Sequence, residues 1–191
     1  MIDSATLVRA YRAGVFPMAL DDGRIGWFSP DPRAILPLDG FTVPSRLARL
    51  VRQRRFDITV DRDFAGVVRA CADRPDGTWI SGEILESYRA LHDRGIAHSI
   101  ETWRDERLVG GLYGVHLGGA FFGESMFHRV TDASKVALVA LVDRLQDRGF
   151  ALLDIQWVTP HLEQFGAIEI PRAAYLRRLR QVLALQCAFA P

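Results

Sequence analysis

The sequence predicts an α+β fold, a mixed sheet flanked by helices and led by a small N-terminal lobe. Three observations carry that prediction. From Phe41 onward, stretches of helical period alternate with short apolar strands. Three strands then follow one another at 97–103, 108–117 and 120–125, joined by turns short enough only for antiparallel pairing. Finally, a strand–helix–strand unit over 121–157 requires a parallel pair with a right-handed crossover.

The elements follow in order. Residues 1–40 form the leading lobe and 41–191 the main domain. Ser4 is placed to cap a helix running to residue 11, with Gly14 in the stop position. Phe16-Pro17-Met18 leaves that helix, and Asp21-Asp22-Gly23 turns. In Trp27-Phe28-Ser29-Pro30-Asp31-Pro32-Arg33 the prolines forbid a helix and stiffen the chain, so a rigid loop is expected to present Trp27. Ser45 caps a basic helix through Gln53, and 56–60 reads as a strand. Asp61 starts a helix to residue 72, Asp76-Gly77 turns, and Ser81 caps a helix that Gly95 ends. Arg104-Asp105-Glu106-Arg107 joins the first two central strands, and Gly118-Gly119 turns into the third. Asp132 caps a helix over 133–148 that Gly149 stops, with Leu138, Leu141, Val142 and Leu145 on one apolar face. A buried strand at 152–157 and a helix at 172–185 complete the chain.

Composition limits the function. At 191 residues, 49% apolar and 25% charged, the chain is an ordinary globular protein with a real core. No apolar run is long enough to span a bilayer, and Met1-Ile2-Asp3-Ser4 lacks a signal peptide's basic start, so a cytoplasmic protein without a membrane partner is expected. Cys71 and Cys187 stand far apart without ligand spacing and read as reduced, structural thiols, with no metal site. A net charge of +1 argues against a surface coated for nucleic acid yet permits a local patch. Arg46, Arg49 and Arg52 recur every third residue, Arg54 and Arg55 follow, and no acid stands between Ser45 and Phe56. The alternatives are a solvated charged face and a phosphate-binding patch, and the second is favoured. Lys135 is the only lysine and sits beside Ser134 at a helix start.

The chemistry concentrates in Gly123-Glu124-Ser125-Met126-Phe127. A carboxylate among apolar side chains costs several kcal/mol unless paired or put to use. Glu124 is therefore either half of a structural ion pair or part of a site. In a parallel strand–helix–strand unit, ligands enter where the strands part at their carboxyl ends. That brings Glu124 and Met126 close to Asp154 and Gln156, and alternation puts the latter two on one side of their strand. Read from its residue type alone, Asp154 is equally a buried acid paired with an arginine. Trp27 and Trp79 read first as core tryptophans, and His161 stands near the strand end.

Nine motifs in fixed order carry a resemblance to a known family. They are Ala10-Tyr11-Arg12-Ala13-Gly14-Val15-Phe16-Pro17-Met18, Trp27-Phe28-Ser29-Pro30, Thr78-Trp79-Ile80 and His98-Ser99-Ile100-Glu101-Thr102-Trp103. Leu108-Val109-Gly110-Gly111-Leu112-Tyr113-Gly114 and the Glu124 motif follow, then Ala133-Ser134-Lys135 and Leu153-Asp154-Ile155-Gln156. The last is Gly166-Ala167-Ile168-Glu169-Ile170-Pro171-Arg172. Together they resemble a leucyl/phenylalanyl-tRNA–protein transferase over nearly the whole chain.

The resemblance implies a cytosolic enzyme whose larger lobe is N-acetyltransferase-like. It would move Leu, Phe or in some cases Met from aminoacyl-tRNA to proteins beginning with Arg or Lys, marking them for N-end rule degradation. It needs no cofactor, because the tRNA ester is the activated donor. Asp154 would polarise Gln156, whose amide oxygen meets the incoming amine, and Glu124 would bind the aminoacyl amine or the terminal ribose. Phe121, Met126, Leu112, Leu153, Leu138, Leu141 and Leu145 would line the donor side-chain pocket, although many relatives carry aromatics where Leu141 and Leu145 stand. Trp27 and Trp79 would flank the terminal adenosine. Family members usually carry a longer leader before the first tyrosine motif, with a Gly-Gly-Asp-like segment. Two rival readings are an acyl-CoA-dependent N-acetyltransferase and a non-catalytic RNA-binding module. The first is weakened by Arg129-Val130-Thr131-Asp132-Ala133-Ser134, which offers no glycine for pyrophosphate. The second leaves Glu124, Asp154 and Gln156 without a purpose.

Overall fold

The computed structural model describes residues 1–75 and 77–190. Helix α1 (Ser4–Arg12) opens the chain, with the Asp3 carboxylate capping it by accepting from the Thr6 N–H, so the cap lies one residue before the expected Ser4. A two-stranded hairpin follows, β1 (Phe16–Ala19) with β2 (Ile25–Phe28). Trp27 is thus a strand residue facing Pro17 rather than part of a stiff loop. A short strand β3 (Arg33–Ile35) was not evident from the sequence, and it joins the main sheet.

Helix α2 (Ser45–Arg52) has Pro44 at its cap position and no side-chain cap. Strand β4 (Asp57–Val60) and helix α3 (Phe64–Ala72) come next, with Asp63 rather than Asp61 capping α3 through the Gly66 N–H. Of the expected Asp76-Gly77 turn, Asp76 lies outside the described residues, and Gly77 adopts φ +89°. Helix α4 (Gly82–His92) is capped by Ser81 as anticipated, its hydroxyl accepting from the Ile84 N–H at 3.3 Å. The central meander is β5 (Ala97–Arg104), β6 (Arg107–Leu117) and β7 (Ala120–His128). Helix α5 (Ala133–Asp147) follows, then β8 (Leu152–Gln156), the short α6 (Pro160–Glu163), β9 (Ile168–Ile170) and α7 (Arg172–Val182). Asp132 stands at the cap position of α5 but gives no cap hydrogen bond; its carboxylate instead takes Lys135 at 3.0 Å and Arg46 at 3.2 Å.

These strands form one seven-stranded sheet in the order β4-β5-β6-β7-β8-β3-β9, antiparallel except for the expected parallel pair β7–β8. Alternation along the strands sorts side chains into two cores. Tyr113, Val115, Phe122 and Leu152 face one side with Leu7, Val67, Tyr88 and Leu179 of α1, α3, α4 and α7. Leu112, Phe121 and Leu153 face the other, against Leu47 of α2 and Leu138, Leu141 and Leu145 of α5. This is the mixed α+β arrangement with flanking helices and a small leading lobe. No helix among the described residues is long and apolar enough to cross a membrane.

The start of α5 lies directly on the sheet because β6 carries glycine there. A Cβ on Gly110 would stand 2.6 Å from the Ala133 Cβ and 2.9 Å from its backbone carbon. We expect Gly110→Ala to destabilise the protein by about 1–3 kcal/mol through overpacking. Gly82, with nothing within 4 Å of its would-be Cβ, is the control, and Gly82→Ala should be neutral or slightly stabilising. Urea denaturation of both variants checks the contrast.

Candidate functional site

The site exists because β7 and β8 part. They pair only at Ala120–Leu152, Phe121–Leu153 and Phe122–Asp154. Beyond that point both strands bulge. On β7, Tyr113 and Gly114 face Ser125 and Gly123, which leaves Glu124 as the unpaired residue. On β8, Ala34 and Ile35 face Gln156 and Asp154, which leaves Ile155 unpaired. Each bulge bends its strand and re-aims the next side chain. Glu124 consequently points toward Tyr11 and Tyr88 in the first core, while Met126 packs with the second.

Between the parted strands opens a cavity of 760 Å³. Leu112, Met126, Leu138, Leu141 and Leu153 make its apolar wall, with Glu124, Gln156 and Trp79 also at its surface. These eight are expected site residues, and the structure brings them together. Phe121 and Leu145 are not among the lining: both are fully buried in the second core, where Phe121 stacks on Phe189 at 5.0 Å. Their places in the pocket are therefore corrected, since each points into the sheet–α5 interface rather than past it. Trp27 is also absent from the lining and is 43% exposed on β2. Trp157, unremarked in the sequence, lines the cavity instead, held edge-on against Phe16 at 5.2 Å.

Asp154 does not reach the cavity. Its carboxylate is fully buried, with Oδ1 accepting from Arg33 Nε at 2.9 Å and Oδ2 from Arg33 Nη2 at 2.6 Å. The Tyr175 hydroxyl donates to Oδ2 at 2.7 Å. Arg33 in turn donates to the Gly14 carbonyl and lies over the rings of Phe16 and Tyr175. The link from Asp154 to Gln156 runs through the backbone: Oδ1 accepts from the Gln156 N–H at 3.0 Å. That bond pins Gln156 in a left-handed conformation, φ +59°, which a non-glycine residue adopts only when its surroundings demand it. The Gln156 side chain is thereby turned into the cavity with its Nε2 unpartnered.

Gln156 is not alone in this. Four buried side-chain polar atoms lack a hydrogen-bond partner among the described residues, and three of them, Gln156 Nε2, Tyr113 Oη and His161 Nε2, belong to residues lining this cavity. Leaving such atoms unpaired costs about 1–3 kcal/mol each, and these three belong to side chains of the cavity wall. Burial, with Lys135 and His128 nearby, holds the His161 imidazole below its ordinary value and therefore neutral. Burial pushes the Glu124 carboxyl up to about 7, against the opposing pull of the Tyr11 and Tyr88 hydroxyls. Tyr11, Tyr88, Tyr113, Arg33, Tyr175 and Trp157 carry no sequence signal that separates them from core residues, apart from the place of Tyr11 and Tyr113 in ordered motifs.

The arginines of α2 occupy one exposed edge. Arg46, Arg49, Arg52, Arg54 and Arg55 are all exposed, and only Arg46 has a carboxylate partner within the described residues, Asp132. Asp132 also holds Lys135, next to Ser134 of the cavity wall. The basic edge therefore begins where the cavity opens.

Comparison with known proteins decides what this cavity belongs to. The family model described as leucyl/phenylalanyl-tRNA protein transferase matches residues 35–180, and that of its N-terminal domain matches residues 1–31. The chain belongs to the leucyl/phenylalanyl-tRNA protein transferase family. Proteins named leucyl/phenylalanyl-tRNA–protein transferase from Rubrobacter xylanophilus and Gloeobacter violaceus are each 56% identical to it, covering 96% of this chain and 96% and 95% of theirs. One from Salinibacter ruber is 57% identical over 93% of this chain and 78% of its own. Among solved structures, L-PGS from Bacillus licheniformis overlays with a TM-score of 0.49 at 14% identity, covering 67% of this chain and 46% of that one. A ribosomal-protein-alanine N-acetyltransferase from Brucella melitensis biovar Abortus gives 0.40 at 20% identity, covering 69% and 92%. The motifs 108–114, 123–127 and 153–156 fall on β6 and on the parted strands.

The buried pair makes a direct test. Asp154→Asn keeps an acceptor for the Gln156 N–H but leaves the Arg33 charge buried and unpaired, and should cost about 3–5 kcal/mol. Replacing both, Arg33→Met with Asp154→Leu, should recover most of that loss, while Gln156 loses its backbone acceptor. Denaturation of the singles and the double measures the coupling.

Proposed function

We propose that this chain takes Leu or Phe, and Met as a further donor, from aminoacyl-tRNA and joins it to the N-terminal Arg or Lys of acceptor proteins, marking them for N-end rule degradation in the cytoplasm. Membership of the family supports the reaction class. The single observation that supports this use of the site is a largely apolar cavity between the parted strands with Glu124 and Gln156 at its surface. An apolar amino-acid side chain suits the wall of Leu112, Met126, Leu138, Leu141 and Leu153. Trp79 and Trp157 at the same cavity offer indole faces for the terminal adenosine.

The reaction asks little of the protein. An N-terminal amine has a pKa of about 8, so roughly a tenth is a free nucleophile at neutral pH. It attacks the ester carbonyl, and orientation supplies most of the acceleration. Gln156 presents its amide to the reacting groups, and Asp154 acts through it by fixing its backbone. Tyr113 and His161 offer further polar contacts around the ester. The arginine edge of α2 meets the tRNA phosphates, beside the cavity that takes the 3′ end. The acyl-CoA reading gains nothing here, because the loop before α5 lacks glycine and Asp132 places a carboxylate there.

Transfer is tested with labelled Leu-tRNA or Phe-tRNA and peptides beginning with Arg, Lys or Ala. Label should reach the Arg and Lys peptides and not Ala, and Gln156→Ala should slow single-turnover transfer with aminoacyl-tRNA affinity nearly unchanged. Equal labelling of all three peptides, or none, rejects the reading. For the arginine edge, Arg49→Ala with Arg52→Ala and Arg55→Ala should weaken tRNA binding and flatten its salt dependence, each lost phosphate contact lowering the slope by about 0.9. A filter-binding titration at several salt concentrations checks it.

A further inference from the structure

Three hydrogen bonds around Glu124 set a proton count. The Tyr11 hydroxyl lies 2.7 Å from Glu124 Oε1 and the Tyr88 hydroxyl 2.9 Å from Oε2, and the two hydroxyls are hydrogen-bonded to each other. The contacts close a ring through the three residues, and each contact holds one proton between its two oxygens. The two phenols bring two protons. The third is present only when Glu124 is a carboxylic acid. With Glu124 ionised, one contact becomes two oxygens facing each other without a proton.

The other groups around Glu124 do not replace that proton. Tyr113 on β6 is fully buried with its hydroxyl unpartnered. Asp154 on β8 and Arg33 on β3 are spent on each other. Arg74, beyond α3, donates to Ser125 Oγ at 2.9 Å and to the Met126 and Cys71 carbonyls. No cation pairs with Glu124 among the described residues.

We infer that the ligand-free enzyme holds Glu124 as a carboxylic acid, closed into a three-proton ring by Tyr11 and Tyr88, and that this acid handles the protons of the transfer step. The inference rests on the transfer reading given above. As the carbonyl carbon bonds to the amine nitrogen and its ester bond to the ribose oxygen breaks, Glu124 gives its proton to that oxygen. The carboxylate so formed takes one proton from the nitrogen, which carries a positive charge in the tetrahedral adduct. The amide is left neutral, the ribose hydroxyl is complete and the acid is restored, so no proton is gained or lost. Asp154 is closed to this work, since its oxygens are occupied by four donors away from the cavity. Gln156 is an amide and does not titrate. Glu124 is at the cavity surface, and burial brings its carboxyl up to about 7, where it both gives and takes a proton near neutrality. Tyr11 and Tyr88 are positioning residues: burial holds their phenols well above the ordinary value, so they keep their protons and fix the acid's orientation.

Infrared difference spectra of the ligand-free protein between about pH 5 and about pH 9 test the ring without any transfer assay. A neutral-acid carbonyl band should be present in the wild type, titrate near neutrality and be missing in Glu124→Gln, whose amide keeps the ring's shape. In Tyr88→Phe the ring is open, and the pH at which the band titrates should move away from its wild-type position. A Glu124 already ionised at about pH 6 overturns the inference. Single-turnover transfer against pH is the second arm. The amine fraction rises toward a pKa of about 8, while the acid fraction of Glu124 falls through about 7, so the wild-type profile should be a bell. Glu124→Gln should lose the falling limb and run roughly a hundredfold slower, and Tyr88→Phe should displace that limb along the pH axis. A falling limb unchanged in both variants overturns the proton role, since a merely structural residue would alter the height and not the shape. Failure of the wild type to label any acceptor rejects the functional reading, while the infrared arm still decides the ring.

Discussion

The ion pair between Arg33 and Asp154 is the interaction on which the arrangement of the site depends. Both side chains are withdrawn from solvent, at 1% and 0% exposure. A charge in such a place is tolerable only with its partner and its remaining hydrogen-bonding positions filled. Here they are filled from four directions: by the Gly14 carbonyl at the end of α1, the Tyr175 hydroxyl of α7, the Gln156 N–H of β8, and the guanidinium of β3 itself. The pair therefore fastens the leading segment, the sheet and the last helix at one point. It is also why Gln156 holds a left-handed backbone beside the cavity. Its purpose is geometric, and that removes Asp154 from direct proton chemistry.

The strands that border the cavity are both irregular where they part. β8 pairs with β7 on one edge and β3 on the other, and its bulge at Ile155 lies on the β3 edge between Asp154 and Gln156. β7, left without a partner on that side, bulges at Glu124. A bulge shifts side-chain parity by one residue, so Glu124 and Met126 serve opposite faces of the sheet while both border one cavity. A flat ladder would have put both side chains on the same face. The unpartnered atoms of Gln156, Tyr113 and His161 cost stability, which the packing of both cores offsets.

Part of this was legible in the sequence and part was not, for physical reasons. The meander, α5 and the parallel crossover have period, length and turn chemistry, and those determine them locally. β3 and β9 have three residues each, too short for any period, and they form because the sheet edge recruits them. The capping errors at Ser4 and Asp61 arise where two capping residues stand within a turn of each other, Asp3 with Ser4 and Asp61 with Asp63. The nearness of Glu124, Met126 and Gln156 was legible because the crossover geometry specifies which strand ends meet, whereas Leu138 and Leu141 were singled out only by the family resemblance. The partners of Glu124 were not. Tyr11 and Tyr88 lie 113 and 36 residues away in the chain, and neither residue type nor spacing separates them from ordinary core tyrosines. That Trp157 rather than Trp27 lines the cavity depends on how the hairpin and β8 meet, which no local pattern records.

The charge distribution completes the argument. With a net charge of +1, the surface as a whole neither attracts nor repels a polyanion strongly, so attraction must be local. α2 provides it on an exposed face, while the cavity itself is mostly apolar and holds its own charge to a carboxyl pushed up to about 7. Asp132 stands between the two, holding Arg46 and Lys135 together at the start of α5. A carboxylate there competes with any phosphate for Arg46, while Arg49, Arg52, Arg54 and Arg55 have no carboxylate partner among the described residues. Affinity and chemistry are thus kept on different physical terms. An anion at the arginine edge would be held through charge and released by salt, whereas a ligand in the cavity would be held through shape and buried groups that salt scarcely screens.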